Sequence, residues 1–265
     1  MPLDDRTREL ALAAAVEAAR RASEYLRAAL GHARSIRHKG GNVMDLVTEH
    51  DLTSEEMIRR HLRGAFPSWG LFCEEGGAEG PTDPRWIVDP LDGTTNFAHG
   101  LPIFAVAIAL EHEGEIDLAV VDAPMLGAVW TARAGRGATR DGRPLHVSRT
   151  DRLDESLLAT GFPYDLKISP DNNFAEFARV QLRAQAVRRC GSAVLDLAWL
   201  AEGSFDGYWE KKLKPWDWAT GVLLISEAGG RVSGGNGGPS SIYGETLVAS
   251  NGLIHEELLS ALASA

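Results

Sequence analysis

Cysteine is nearly absent. The chain has two, Cys73 and Cys190, far apart and outside any Cys-x-x-Cys spacing, so neither a zinc finger nor a disulfide framework has support. Long apolar runs are also missing. No window reaches the ~18 uninterrupted apolar residues of a membrane span, and no membrane association is expected. The N-terminus, Pro2-Leu-Asp-Asp-Arg, has neither the basic start nor the apolar block of a secretory signal, which makes the cytoplasm the expected location. Lys/Arg-rich runs are absent and the net charge is −10, so nucleic acid is not expected as an electrostatic partner. The eight histidines form no His-Glu-x-x-His pattern, which removes the usual zinc-hydrolase signature. There is no internal repeat and no long low-complexity stretch.

What remains is a chain of 265 residues with 44% hydrophobic content. That is enough to bury a substantial core, as one large domain or two closely joined halves. Residues 4 to 31 predict a long helix, with Leu12, Val16, Ala19, Leu26 and Leu30 on one face. Ile58, Leu62 and Phe66 mark a second helix that Pro67 stops, with Glu55–Arg59 and Glu56–Arg60 as supporting ion pairs. Segments 103–110, 116–121 and 128–131 read as strands. His112-Glu-Gly-Glu and Asp141-Gly142 provide hairpin turns. Further on, 156–160 and 205–209 read as strands, with Glu210 following the second. Residues 171–185 and 191–201 read as helices, and Pro215 reads as the first residue of a helix that Gly229-Gly230 ends. Residues 234–241 read as a loop, 245–250 as a last strand, and Asn251 as the cap of a final helix.

The chemistry concentrates in residues 86–97, Trp-Ile-Val-Asp-Pro-Leu-Asp-Gly-Thr-Thr-Asn-Phe. A short apolar strand is expected to stop at Asp89 and Pro90, because proline cannot donate to a sheet ladder. Asp92, Gly93 and Thr94 then suit a tight turn and a helix start. Two carboxylates therefore leave a strand end three residues apart, just before a helix N-terminus. Carboxylate oxygens suit Mg²⁺, and a helix N-terminus suits phosphate. Glu74 and Glu75 follow another apolar run, Leu71 to Cys73. Asp51 closes Asp45-Leu-Val-Thr-Glu-His-Asp, and Asp217 lies in Lys214-Pro-Trp-Asp-Trp. Asp51 by itself reads as a helix cap.

Together these motifs resemble the inositol monophosphatase family of metal-dependent phosphatases, over roughly residues 39 to 250. The resemblance implies an α+β fold, a layered αβαβα sandwich shared with fructose-1,6-bisphosphatases. It also implies one such domain over 1–265, with approximate halves 1–150, carrying the metal-binding loop, and 151–265, carrying Asp217. Two to three Mg²⁺ ions are implied. Glu74, Asp89 and the Leu91 carbonyl would hold the first, and Asp89, Asp92 and Asp217 the second. A third, weaker ion would sit by Glu74 through waters. Glu74, Thr94 and Asp51 take catalytic roles: Thr94 and Glu74 orient or deprotonate the attacking water while Asp51 holds Thr94. Gly93 and Thr94 amides meet the phosphate, and Gly191, Ser192, Ala193 and Glu210 meet the substrate hydroxyls. Phe162 and Tyr164 are candidates to line the pocket. Two departures stand out. Lys39 is offset by about one residue from the family's lysine near the site, and Cys73 replaces a usual glycine. The cysteine reads either as an oxidation-sensitive thiol or as an inert small residue.

The implied activity is Mg²⁺-dependent hydrolysis of a small polyol phosphate, first of all myo-inositol 1-phosphate. Histidinol-phosphate, fructose 1,6-bisphosphate and 3′-phosphoadenosine nucleotides are the rivals within that class. A rival of another class is an interaction protein contacting the transcription machinery. Lithium sensitivity and a homodimer are implied by analogy with the family alone.

Overall fold

In the computed structural model the described residues are 3–32, 36–42 and 44–263. The first half runs α1 (Asp5–Ala29), β1 (Ile36–His38), β2 (Leu46–Thr48), α2 (Glu49–Ala65), β3 (Gly70–Cys73), β4 (Gly77–Glu79) and β5 (Arg85–Asp92). It continues through α3 (Thr94–Ala98), β6 (Ala105–His112), β7 (Glu115–Ala123), β8 (Ala128–Arg133), β9 (Gly137–Arg140) and β10 (Arg143–Pro144). The second half runs β11 (Leu157–Thr160), α4 (Phe174–Gln181), β12 (Ala186–Arg188), α5 (Ala193–Ala201) and β13 (Gly207–Lys211). It ends with α6 (Pro215–Glu227), β14 (Arg231–Gly234), β15 (Thr246–Ser250) and α7 (His255–Leu262).

Two large sheets alternate with three helical layers, and β1 and β2 form a separate antiparallel pair. An eight-stranded sheet has the order β10-β9-β8-β7-β6-β5-β3-β4, and a five-stranded sheet the order β12-β11-β13-β15-β14. Helices α1 and α2 cover the outer face of the large sheet, α5 and α6 lie between the sheets, and α4 and α7 cover the far face of the small one. The period-2 alternation of strand residues builds this stack. Along β6 the residues Ala105, Ala107 and Ala109 face the α5/α6 layer, while Val106, Ile108 and Leu110 face α1. Small residues on one side let the bulky Trp218, Leu224 and Ile225 approach. Large residues on the other side demand a slim partner.

That demand corrects one detail of α1. Its most buried stripe is Ala11, Ala15, Ala18, Ala19, Ala22 and Leu26, whereas Leu12 and Val16 are half-buried. The helix turns its alanines to the sheet because Ile108, Leu110, Leu118 and Val120 already fill the space. Asp4 caps the helix, accepting from the Thr7 N–H at 2.6 Å. Helix α2 carries both expected ion pairs, Glu55–Arg59 at 3.3 Å and Glu56–Arg60 at 3.2 Å.

Other boundaries moved. Helix 171–185 shortens to α4, and residues 186–188 form a parallel edge strand beside β11. β13 starts at Gly207 and holds Glu210 inside it rather than after it, paired with Leu247 of β15. Residues 231–234, not predicted as a strand, form β14. Asn251 does not cap α7. Its side chain accepts from the Leu253 and Ile254 N–H groups and closes the turn before the helix, whose N-cap is Ile254. Among the described residues no helix is long and apolar enough to cross a membrane.

Candidate active site

Strand pairing creates the site. β3 and β5 run parallel, Cys73 opposite Val88, so their carboxyl ends lie side by side. Glu74 follows the first, and its N–H donates to the Val88 carbonyl at 3.1 Å. Asp89 follows Val88 directly. The strand does not stop at Pro90, as expected, but continues to Asp92 through a bulge: Asp89 pairs with Ala107 and Asp92 with Ala105. Three steps on β5 thus match two on β6. In a regular strand, residues three apart point to opposite faces. The extra residue restores the phase and turns Asp89 and Asp92 to the same face. Proline is tolerated because the ladder is already interrupted there. Its carbonyl accepts from the buried Ser54 hydroxyl at 2.7 Å.

Asp217 arrives from the middle layer. Pro215 opens α6, and Asp217, in its first turn, accepts from the Lys214 N–H at 2.6 Å. One oxygen from each of Asp89, Asp92 and Asp217 lies within 4.8 Å of the other two. Asp92 also ties the two halves together. Its Oδ2 accepts from the Ser192 hydroxyl and, at 3.1 Å, from the Val194 N–H at the start of α5. Gly93 follows with φ +89°, and a Cβ there would come within 2.9 Å of the Ile103 carbonyl. Only glycine fits that turn.

Asp51 is the N3 partner of a capping box, not the cap, which is Thr48. Its Oδ2 accepts from the Thr48 N–H and hydroxyl at 2.8 and 2.6 Å, and its Oδ1 accepts from the Thr94 hydroxyl at 2.8 Å. Thr94 Oγ1 also lies 3.0 Å from the Leu91 carbonyl. Lys39 reaches the site despite its offset spacing. Its Nζ stands 2.8 Å from Glu74 Oε1 and 2.6 Å from Glu75 Oε1. Glu74 is thus held by an ammonium, and the group of carboxylates within 4.8 Å of one another is made of Asp89, Asp92 and Asp217 without it.

Burial and mutual repulsion dominate the electrostatics of these carboxylates. Burial, with the Asp217 and Glu75 charges, raises Glu74 to about 8 against the opposing Lys39. Burial, then the Glu74, Asp92 and Asp217 charges, pushes Asp89 well above the carboxylate range. Asp92 rises to about 7 and Asp217 to about 8, again chiefly through burial. Hard oxygen donors gathered this way fit a divalent cation such as Mg²⁺, whose charge would offset theirs.

Beside the carboxylates opens a cavity of about 340 Å³, lined by Asp92, Gly93, Thr94, Gly191, Ser192, Ala193, Glu210 and Asp217 among others. Phe162 and Tyr164 line it too, and Asn42 Nδ2 donates to the Tyr164 carbonyl at 3.0 Å. Glu210 packs against Gly161, where a Cβ would fall 2.1 Å from Glu210 Oε1. Its other oxygen accepts from the buried Tyr208 hydroxyl, and burial raises it to about 7. Cys73, by contrast, is fully buried, and burial pushes its thiol up to about 12. It stays protonated, which favours the inert reading.

Sequence reasoning passed over Asp196, Asn96 and Tyr208. Asn96 Nδ2 bridges the Ile103 and Cys190 carbonyls at 2.8 and 2.9 Å, tying α3 to the loop before α5. Asp196 had a signal: it is the one charge in the apolar run Ala193-Val-Leu-Asp-Leu-Ala-Trp.

The model of the inositol monophosphatase family matches residues 8–265. The inositol-1-monophosphatase of Synechocystis sp. is 42% identical over 236 residues, 88% of this chain and 82% of that protein. The Nus factor SuhB of Pseudomonas aeruginosa is 40% identical over 255 residues, 94% of each. Among solved structures, the inositol monophosphatase from Anabaena (Nostoc) sp. superposes with a TM-score of 0.86 at 41% identity, covering 95% of this chain and 94% of that one. The suhB protein of Bartonella henselae gives 0.90 at 37%, covering 96% and 98%.

Proposed function

From the premise that the chain belongs to the inositol monophosphatase family and is a phosphoric monoester hydrolase, we propose that it hydrolyses a small polyol phosphate, myo-inositol 1-phosphate first, with Mg²⁺. The carrying observation is the convergence of Asp89, Asp92 and Asp217 beside a cavity that Glu210 also lines.

The chain's own groups divide the work. Glu74, Asp89, the Leu91 carbonyl, Asp92 and Asp217 would hold two to three ions. Bound Mg²⁺ offsets the carboxylate and phosphate charge and eases loss of a proton from water. Thr94, fixed between Asp51 and the Leu91 carbonyl, orients the attacking water, and Glu74 receives its proton. Gly93 and Thr94 offer main-chain N–H groups to the phosphate. The main chain of Gly191, Ser192 and Ala193, with Glu210, receives the alcohol part. No serine or cysteine nucleophile is required: Ser192 is committed to Asp92, and Cys73 is buried and protonated. By family analogy the enzyme is a cytoplasmic, lithium-sensitive homodimer.

The SuhB relatives are named as Nus factors, and that second role is compatible with an intact acid set. The test is phosphate release from myo-inositol 1-phosphate, histidinol-phosphate, fructose 1,6-bisphosphate and a 3′-phosphoadenosine nucleotide, with and without Mg²⁺. Mg²⁺-dependent release, fastest from the inositol ester, is expected. A faster rate on one of the others reassigns the substrate, and none on any ester leaves the interaction role.

A further inference from the structure

The wall around Glu210 is held from the opposite face of the small sheet. Tyr208 and Glu210, two residues apart on β13, share one face, where Tyr208 packs with residues of α5 and α6. Trp209, between them, points to the α4 and α7 side. There Asn173, directly before α4 and fully buried, uses both ends of its amide. Its Oδ1 accepts from the Trp209 Nε1–H at 2.7 Å. Its Nδ2 donates to the Gly161 carbonyl at 2.6 Å and to the Thr160 hydroxyl at 2.9 Å. Thr160 in turn donates to the Trp209 carbonyl at 2.6 Å, across the parallel pair that sets Thr160 beside Trp209.

The residue type follows from the partners. An indole N–H only donates and a main-chain carbonyl only accepts. A side chain lying between them needs an acceptor and a donor, and asparagine combines the two on a short stem. At φ +70° it also takes a left-handed backbone that asparagine adopts more readily than most residues.

This clamp ends at the cavity. Glu210 lies so close over Gly161 that a Cβ there would overlap both carboxylate oxygens. Tyr208 holds one of those oxygens from the strand itself, and Gly161 bounds the carboxyl from the facing segment. Asn173 is 0% exposed, so it meets no substrate and acts through Gly161.

We propose, resting on the phosphomonoesterase reading above, that Asn173 is a positioning residue for recognition of the alcohol. By clamping Gly161 to Trp209 it sets where the Glu210 carboxylate can lie. Binding groups need holding to within about 0.5 Å of their working position, and a supporting shell of buried hydrogen bonds does this.

The experiment uses Asn173→Gly, which keeps the left-handed turn and removes all three side-chain bonds. Parent and variant are compared with Mg²⁺ on myo-inositol 1-phosphate and on p-nitrophenyl phosphate, whose alcohol part carries no hydroxyl. On the inositol ester KM is expected to rise about tenfold with kcat within about twofold, as for lost substrate binding. On the aryl ester kcat/KM is expected to stay within about twofold, with an unchanged Mg²⁺ requirement. Equal losses on both esters, or an unchanged KM on the inositol ester, would overturn the proposal. If Asn173→Gly does not fold, Thr160 decides. Thr160→Val breaks the same network and is expected to show the same split, while Thr160→Ser keeps the hydroxyl and is expected to keep the parent's KM. Valine and serine variants that behave alike would overturn it. A crystal structure of the variant that folds separates positioning from activity. Displacement of the Glu210 carboxyl from Gly161 is expected, and a carboxyl in the parent's place refutes the proposal even if the parent turns over neither ester. Phosphate release by the parent from neither ester is instead the failure of the phosphatase reading.

Discussion

Replacing Asp217 by Asn should make the ion-free protein more stable while it destroys activity. The two side chains have nearly the same shape, and the amide oxygen can still accept from the Lys214 N–H that fixes Asp217 at 2.6 Å. The helix start is therefore retained. What disappears is a negative charge within 4.8 Å of oxygens on Asp89 and Asp92. At that separation and an effective dielectric near 20, one pair of unit charges repels by about 3.5 kcal/mol. Asp217 is raised from 3.8 to about 8 by burial and the Asp92 and Glu210 charges, so the repulsion is fully expressed only above that pH. The sign follows from proton linkage. A carboxyl raised in the folded state favours folding at low pH, and that contribution is lost as pH rises from about 4 through about 8. In EDTA at pH 8.5, Asp217→Asn should gain on the order of 3 kcal/mol in urea denaturation. At about 2–4 °C per kcal/mol for a chain of this size, Tm should rise by roughly 6–12 °C. Saturating Mg²⁺ should stabilise the parent and do far less for the variant, whose kcat should fall by orders of magnitude. A variant less stable than the parent in EDTA, or equal stabilisation of both by Mg²⁺, would refute the claim that uncompensated charge strains this cluster.

Three further outcomes follow. Thr94→Val removes the hydroxyl that donates to Asp51 at 2.8 Å, and kcat should drop roughly a hundredfold with Mg²⁺ affinity little changed; a drop confined to Mg²⁺ affinity would contradict its assigned role. Gly161→Ala puts a methyl 2.1 Å from the present position of Glu210 Oε1, so KM for myo-inositol 1-phosphate should rise about tenfold, and an unchanged KM would remove Glu210 from substrate binding. His255 is buried between the Ser233 and Ser250 hydroxyls, each at 2.9 Å, and burial holds its pKa down at about 4 from 6.5. Its contribution is intact above about pH 6.5 and lost as pH falls through 4, at most about 3 kcal/mol. His255→Asn should flatten that acid limb in denaturation curves, and an identical limb would contradict it.

The acid set was legible because metal chemistry restricts residue type, and Asp89, Asp92 and Asp217 sit in short motifs with few other uses. Their shared orientation was not legible. It depends on the bulge at Pro90, which the proline rule turned into a strand end. The alanine stripe of α1 was misread for a related reason: hydrophobicity ranks Leu12 and Val16 above Ala11 and Ala15, but the sheet's large side chains decide which face can approach. Glu210 and Asp196 show a second limit. Pairing with Leu247 makes Glu210 part of β13, and only the packed structure reveals that Asp196 Oδ1 is buried without a hydrogen-bond partner. Both facts belong to long-range contacts that no local pattern encodes.

The most direct test of the account is the anomalous difference density of Mn²⁺-soaked crystals. Peaks between the Asp89, Asp92 and Asp217 carboxylates, beside Glu74, are the predicted result. Well-ordered carboxylates with no peak among them, at Mn²⁺ concentrations that support phosphate release, would contradict it.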